Sequence, residues 1–288
     1  MIQYPLRLLI LFSATLFFIA ACSSVNRSYT RTTKHYFPGY AHLSNEDRKR
    51  SDSLLRVGLD QEALYTLAGR LKPISSLGYS LAYPLAKDST HQDGDRSVVH
   101  VERDSVYGKL QELEAWHRIA KALSGNDLTF LVIPFREPYR GKRHLELLVC
   151  RNSVVDSILR VHQEFFGQWG FTPGTDPHTL LTAIEFESRG DRFRAYGYLF
   201  GYPQHAVDFF VQADKDYKRT GEFVKRDFFH IPTYARPDGH FTYAVPKGYI
   251  PTSTDSALYH RGLKILNQYR MSRDTTSSPV DYLRSITQ

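Results

Sequence analysis

Helix start and stop signals punctuate this chain from Ser44 to Ser272, and nowhere does a strand run through a glycine-rich loop into a helix. That pattern predicts an α+β fold, helix-rich with two β-hairpins and no Rossmann-type βαβ alternation, and it removes support for a nucleotide fold. Ser44 with Asp47 forms a capping-box pattern ahead of a helix to about residue 56. Asp60 is read as the cap of a short helix that Gly69 ends, and Ser105 as the opening of a longer one to Leu123. Strands are expected over 127–135 and 144–150, joined by a polar loop at 138–142. A helix over 153–169 follows. Asp176-Pro177 then starts a helix, Asp191 caps the next, and Pro203 begins a third to about Tyr217. A second hairpin, 227–235 with 240–245, turns at Pro237-Asp238-Gly239, and Pro232 and Pro246 place it at a sheet edge. Ser253 or Thr254 caps a last amphipathic helix. Residues 44–271 read as one globular domain, with a polar loop at 88–96 and a polar, disordered tail at 272–288.

The N-terminus is of another kind. Arg7 precedes a largely apolar run of 14 residues, Leu8 to Ala21, too short for the roughly 20 residues that span a bilayer. It has the build of a secretory signal. Ile19-Ala20-Ala21-Cys22 resembles the lipobox of bacterial lipoproteins, in which small residues precede the cysteine that is acylated. The resemblance covers only the first two dozen residues. It implies cleavage after residue 21, a lipidated Cys22 and a mature chain of 267 residues (288 minus 21). Two or more acyl chains make an anchor stable. Ser23 stands where retention in the inner membrane favours Asp, so the resemblance also implies the outer membrane. Residues 22–43, polar and rich in Ser, Thr and Arg, read as a flexible tether. In the globular part, Leu64-Tyr-Thr-Leu-Ala-Gly-Arg-Leu-Lys-Pro73 and Gly201-Tyr202-Pro203 resemble only uncharacterised envelope lipoproteins, and carry no activity with them.

Of two cysteines, Cys22 is consumed by the anchor, so Cys150 has no partner for a disulfide. Its apolar strand context makes it an inert core thiol. The formal charge is +7, or +6 once Arg7 is removed, but no clustered nucleic-acid module appears. Nucleic acid is therefore not an expected partner. The membrane, an anionic envelope polymer or another envelope protein is.

The residues from Glu185 to Asp208 are the richest in chemistry. His205 and Asp208 share a helical face three residues apart, and His178 and Glu185 share another two turns apart. Brought together, these four are a candidate acid–base or metal site. Capping by Asp191 and solvated ion pairs offer the plainer account of the same stretch. His144 and Glu146 alternate on one face of a strand, read as the solvated face of an edge. Arg140, Lys142 and Arg143 make a basic hairpin tip suited to lipid phosphate or an anionic polymer. The aromatics of the second hairpin read as cross-strand packing, with a ligand groove as the alternative. Together these point to a lipid-anchored envelope protein acting as a non-catalytic binding or structural module, with no cofactor implied. The alternative is an envelope hydrolase built on His205, Asp208, Glu185 and His178, with or without a metal.

Overall fold

A computed structural model describes residues 37–84 and 103–286, with only the backbone of 103–108. The signal segment, Cys22 and the loop at 88–96 lie outside the described residues. The fold is α+β, with ten α-helices and two small antiparallel sheets among the described residues. Helix α1 (Asn45–Asp60) starts as expected, with the Asp47 N–H donating to Ser44 Oγ at 3.0 Å. It runs to Asp60, which ends this helix instead of capping the next. The Asp60 carboxylate accepts from the Tyr269 hydroxyl at 2.7 Å and from Arg273 at 2.8 and 2.9 Å. The short α2 (Leu64–Leu67) has no side-chain N-cap. Its C-terminal carbonyls, Thr66 and Leu67, accept from the buried Arg151 guanidinium at 2.7 and 2.5 Å.

Strand β1 (Ile74–Pro84), helix α3 (Arg103–Leu123), β2 (Leu128–Pro134) and β3 (Lys142–Arg151) follow, and the strands pair in the order β1-β3-β2. Sequence reasoning did not find β1. Its register shifts between Ser76 and Ser80, where Gly78 takes φ +72°, so the two-residue alternation breaks midway. Its presence makes β3 the central strand and corrects the reading of His144 and Glu146: they lie on the middle strand and are half-buried, not on a solvated edge.

The expected single helix over 153–169 is two, α4 (Asn152–Val161) and α5 (Gln163–Phe166), broken at His162 (φ −111°, ψ 37°). The break lets the His162 ring stack on Tyr198 at 3.7 Å. Next come α6 (Pro177–Phe186), capped by Asp176 as expected, α7 (Arg189–Leu199) and α8 (Gln204–Thr220). Ser188, not Asp191, caps α7. Asp191 sits three residues on, its carboxylate accepting from Ser188 Oγ at 2.8 Å. Strands β4 (Arg226–Ile231) and β5 (Phe241–Pro246) form the second sheet, a two-stranded ribbon with two edges as the prolines indicate. Helix α9 (Ser253–Ser272) is capped one residue earlier than expected, by Thr252, in a reciprocal capping box with Asp255.

Both chain-end expectations are corrected. Residues 279–285 form α10 (Pro279–Ser285), not a disordered tail, and bury Val280, Tyr282 and Leu283 in the core. The Ser278 cap with Pro279 at the first helical position was the available signal. At the other end, Phe37 is buried and meets Phe130 edge-on at 5.9 Å, so the packed body includes residues before 44.

The three-stranded sheet has apolar residues on both faces. Leu77, Leu81, Phe130, Val132, Leu147 and Val149 share a core with α1, α2 and α3. Ile74, Leu131, Ile133, Leu148 and Cys150 share a second core with α4, α6, α7 and α8. Tyr202 packs against both, and against a third small cluster under β5. It is held by Gly201, which takes φ +77° just after α7; a Cβ there would lie 3.2 Å from both Leu71 O and Pro73 Cδ. Segments 64–73 and 201–203 therefore meet in space.

Candidate functional site

His205, in the first turn of α8, faces Asp255 and not Asp208. Its Nε2 lies 3.2 Å from Asp255 Oδ1 and 2.9 Å from the Tyr249 hydroxyl, and its ring stacks on Tyr249. The Tyr249 hydroxyl already donates to Asp255 at 2.6 Å, so Nε2–H of His205 is the donor in their pair. Asp255 is fully buried. Its carboxylate also accepts from the Tyr243 hydroxyl at 2.5 Å and from Thr252 N and Oγ1, each at 2.7 Å. Burial alone raises this carboxyl, but the Tyr243, Tyr249 and Thr252 donors outweigh it and bring it to about 2. One carboxylate thus ties together α8, β5, the 247–252 loop and α9.

Asp208, one turn further along α8, pairs with Arg194 of α7 at 2.5 Å and accepts from Gln204 Nε2 at 2.8 Å. Burial pushes its carboxyl up, and these two partners more than reverse that. Glu185, at the end of α6, is buried. It accepts from the Arg136 backbone N–H at 2.9 Å and the Tyr196 hydroxyl at 2.6 Å, with Arg192 Nη1 at 3.7 Å. His178 is exposed on α6 and hydrogen-bonds to none of the described residues. The four candidate catalytic residues thus occupy four separate surroundings, and no hydrogen bond or ion pair joins any two of them. Among the described residues, no group of three or more His, Cys, Asp and Glu is placed to hold a metal ion.

The basic tip divides. Arg140 (φ +50°) and Gly141 form a tight turn closed by reciprocal backbone bonds between Tyr139 and Lys142. Arg140 lies over the exposed Tyr139 ring at 5.1 Å, and Lys142 is exposed. Arg143 folds back to donate to the Phe135 and Arg136 carbonyls, both at 2.8 Å, so it holds the hairpin and not a partner. On the second hairpin, Phe229 stacks on Tyr243 across the strands and Phe241 is fully buried, which favours the packing reading of its aromatics.

Sequence reasoning missed a buried polar cluster around Lys72. This lysine is fully buried, donates to Glu62 Oε2 at 2.5 Å, and lies 4.5 Å from the Phe241 ring and 5.3 Å from Phe200. Burial pushes its pKa down, and Glu62 opposes the shift. Ser76 links Glu62 to Glu146: its backbone N–H reaches Glu62 at 3.4 Å and its hydroxyl donates to Glu146. Burial raises the Glu146 carboxyl and the Glu62 charge adds to it, with Ser76 opposing. The available signal was the Leu71-Lys72-Pro73 step, a lysine between two core residues directly before a strand. Cys150 is fully buried and unpaired as expected, and burial pushes its thiol well up, which keeps it unreactive. No family model, curated protein or solved structure matches this chain.

Proposed function

We propose that this chain is a lipid-anchored protein of the cell envelope, held in the outer membrane through Cys22, whose body is a binding or scaffolding module and not a hydrolase. The lipobox resemblance supports the anchor. The single observation that carries the second half is that the candidate catalytic groups are held apart, with His178 exposed on α6 and the other three meeting different partners. His205 and Asp255 close a helix cap, Asp208 holds α7 to α8, and Glu185 holds the 136 loop to α6 and α7. An acid–base site needs its groups within hydrogen-bond reach of one another, and no hydrogen bond or ion pair joins any two of the four candidates. Phe37, the first described residue of the packed body, lies 15 residues beyond Cys22. At no more than about 3.6 Å per residue, a stretch of that length spans at most roughly 50 Å. The hairpin tip, with Arg140 and Lys142 beside Tyr139, suits an anionic lipid or polymer surface at that range.

The anchor is tested by metabolic labelling with a fatty-acid analogue in cells expressing the wild-type chain or Cys22→Ser. The wild type is expected to carry the label and the variant to lose it. Equal labelling of both overturns the proposal.

A further inference from the structure

The last buried residue of α8 is Ala213, and its final two turns carry Tyr217 out to solvent on the face it shares with Phe210 and Asp214. Phe210, also exposed, stands in a run of stacked rings and guanidinium groups. Phe193 of α7 meets it edge-on at 5.2 Å, and Arg189 lies over Phe193 at 5.0 Å. On the other side, Arg226 lies over Phe210 at 5.7 Å and over Phe223 at 4.4 Å. Phe223 is 67 % exposed. Arg189 and Lys218 pair with the sheltered Asp214 at 2.9 and 3.0 Å, which fixes α7 on α8. Arg226 donates from Nε to the Val224 carbonyl and pairs with no carboxylate among the described residues. The run continues to the basic hairpin tip. Arg136, at the base of that hairpin, donates to the Phe186 and Glu187 carbonyls at 3.1 and 3.0 Å, directly before α7. Phe186 is 54 % exposed. Exposed rings and cations thus follow one another from Tyr139 and Arg140, through Phe186 and Arg189, to Phe210 and Phe223.

We infer that this end of the body is a membrane-interfacial face that lies on an anionic bilayer. Phe186 and Phe223 enter the boundary between headgroups and acyl chains, and Arg140 and Arg226 take lipid phosphates. Single exposed apolar residues are ordinary on a protein surface, but a contiguous run of rings interleaved with cations marks an interaction site. A guanidinium stacked on a ring keeps the edge of its fork free for phosphate oxygens. The charge agrees: residues 214–226 carry five cations against three carboxylates, and one of those carboxylates, Asp214, is taken up by Arg189 and Lys218. The rings decide between a bilayer and a soluble polyanion. A polyanion attracts the cations and leaves Phe186, Tyr217 and Phe223 in water, whereas a bilayer interface takes both kinds of group. The inference rests on reading the chain as lipid-anchored, which keeps the body within tether reach of such a surface.

The test uses the full chain in nanodiscs of phosphatidylglycerol (anionic) or phosphatidylcholine (neutral), with lipids brominated on the acyl chain to quench tryptophan on contact. Phe223→Trp and Met271→Trp, the second on an exposed position of α9 outside the run, are each read against the parent chain. In anionic discs the added emission of Phe223→Trp is expected to fall about twofold or more, and that of Met271→Trp to stay unchanged. In neutral discs, or at high salt, the quenching of Phe223→Trp is expected to weaken. Lys225→Glu with Arg226→Glu in the Phe223→Trp background is expected to weaken it likewise, with thermal melting to show that the fold is kept; the lipid and salt comparisons need no such variant. Equal quenching at the two positions, quenching of Phe223→Trp no greater in anionic than in neutral discs, or its loss to soluble polyphosphate at matched ionic strength, the mark of a polymer site, would each overturn the inference. The intact mass of the same sample reads acylation of Cys22 separately. An acylated chain without quenching refutes the face alone, and a quenched chain without acyl groups refutes the anchor alone.

Discussion

Replacing Asp255 with alanine is expected to be among the most damaging single changes in this protein, although Asp255 belongs to no catalytic site proposed for it. The carboxylate is fully buried and accepts from Tyr243, Tyr249 and both donors of Thr252, with His205 beside it. Removing it strands the Tyr243 hydroxyl, on a residue only 2 % exposed, at a cost of about 1–3 kcal/mol for an unpaired buried donor. It also deletes half of the α9 capping box, worth about 1 kcal/mol. Lost hydrogen bonds to a charged acceptor bring the total to roughly 3–5 kcal/mol. For a body of this size that lowers Tm by about 6–20 °C. Asp255→Asn keeps one acceptor oxygen and is expected to cost about half as much. The pH dependence has a definite sign. The folded-state carboxyl sits at about 2 against an ordinary 3.8, so its contribution is present above pH 3.8 and lost as pH falls through 2. That contribution is about 2 kcal/mol, and Asp255→Asn removes this part of the acid limb. Urea unfolding followed by circular dichroism, between pH 2 and 7, measures both. An Asp255→Ala variant within 1 kcal/mol of wild type, or an acid limb unchanged in Asp255→Asn, would refute the structural role.

Three further outcomes follow from the same geometry. Gly201→Val places a β-branched residue at φ +77° against Leu71 O and Pro73, and is expected to cost about 3 kcal/mol in urea unfolding, whereas His205→Ala costs under about 1 kcal/mol because its ring is partly exposed. Lys72→Met leaves Glu62 without its partner and is expected to destabilise by about 3 kcal/mol, while Lys72→Met with Glu62→Gln recovers most of the loss; because burial lowers the Lys72 pKa, that residue's contribution to stability rises with pH in the alkaline range up to its ordinary value near 10.5, and the double variant loses this rise. Arg140→Glu with Lys142→Glu is expected to weaken binding of the Cys22→Ser chain to anionic vesicles several-fold at low salt and by little at high salt, measured by co-sedimentation, whereas Arg143→Gln acts on stability instead.

Much of the fold was legible because its helix ends are written locally. Ser44 and Asp176 cap where their spacing says they do, and Gly201 stops α7 in the left-handed region as its position before Tyr202-Pro203 requires. What was not legible depends on partners distant in sequence. β1 escaped because its bulge breaks the alternation that marks a strand, and its pairing with β3 lies some 70 residues away. Asp60 and Asp191 looked like caps, but Asp60 is claimed by Tyr269 and Arg273, and Ser188 is better placed than Asp191. The polar 272–288 segment hid α10 because four buried residues, Pro279, Val280, Tyr282 and Leu283, suffice to dock one short helix. At the candidate site, the spacing of His205 and Asp208 correctly put them on one helix, but spacing cannot say which carboxylate an imidazole meets. Asp255, 50 residues on, took that place.

The central claim, that the chain is anchored through Cys22, is met most directly by mass spectrometry of the mature N-terminal peptide from purified membranes. The account predicts a chain that begins at Cys22, followed by Ser23 and Ser24, with two or more acyl chains on that first residue. An unacylated Cys22, or a mature chain that begins at any other residue, would contradict it.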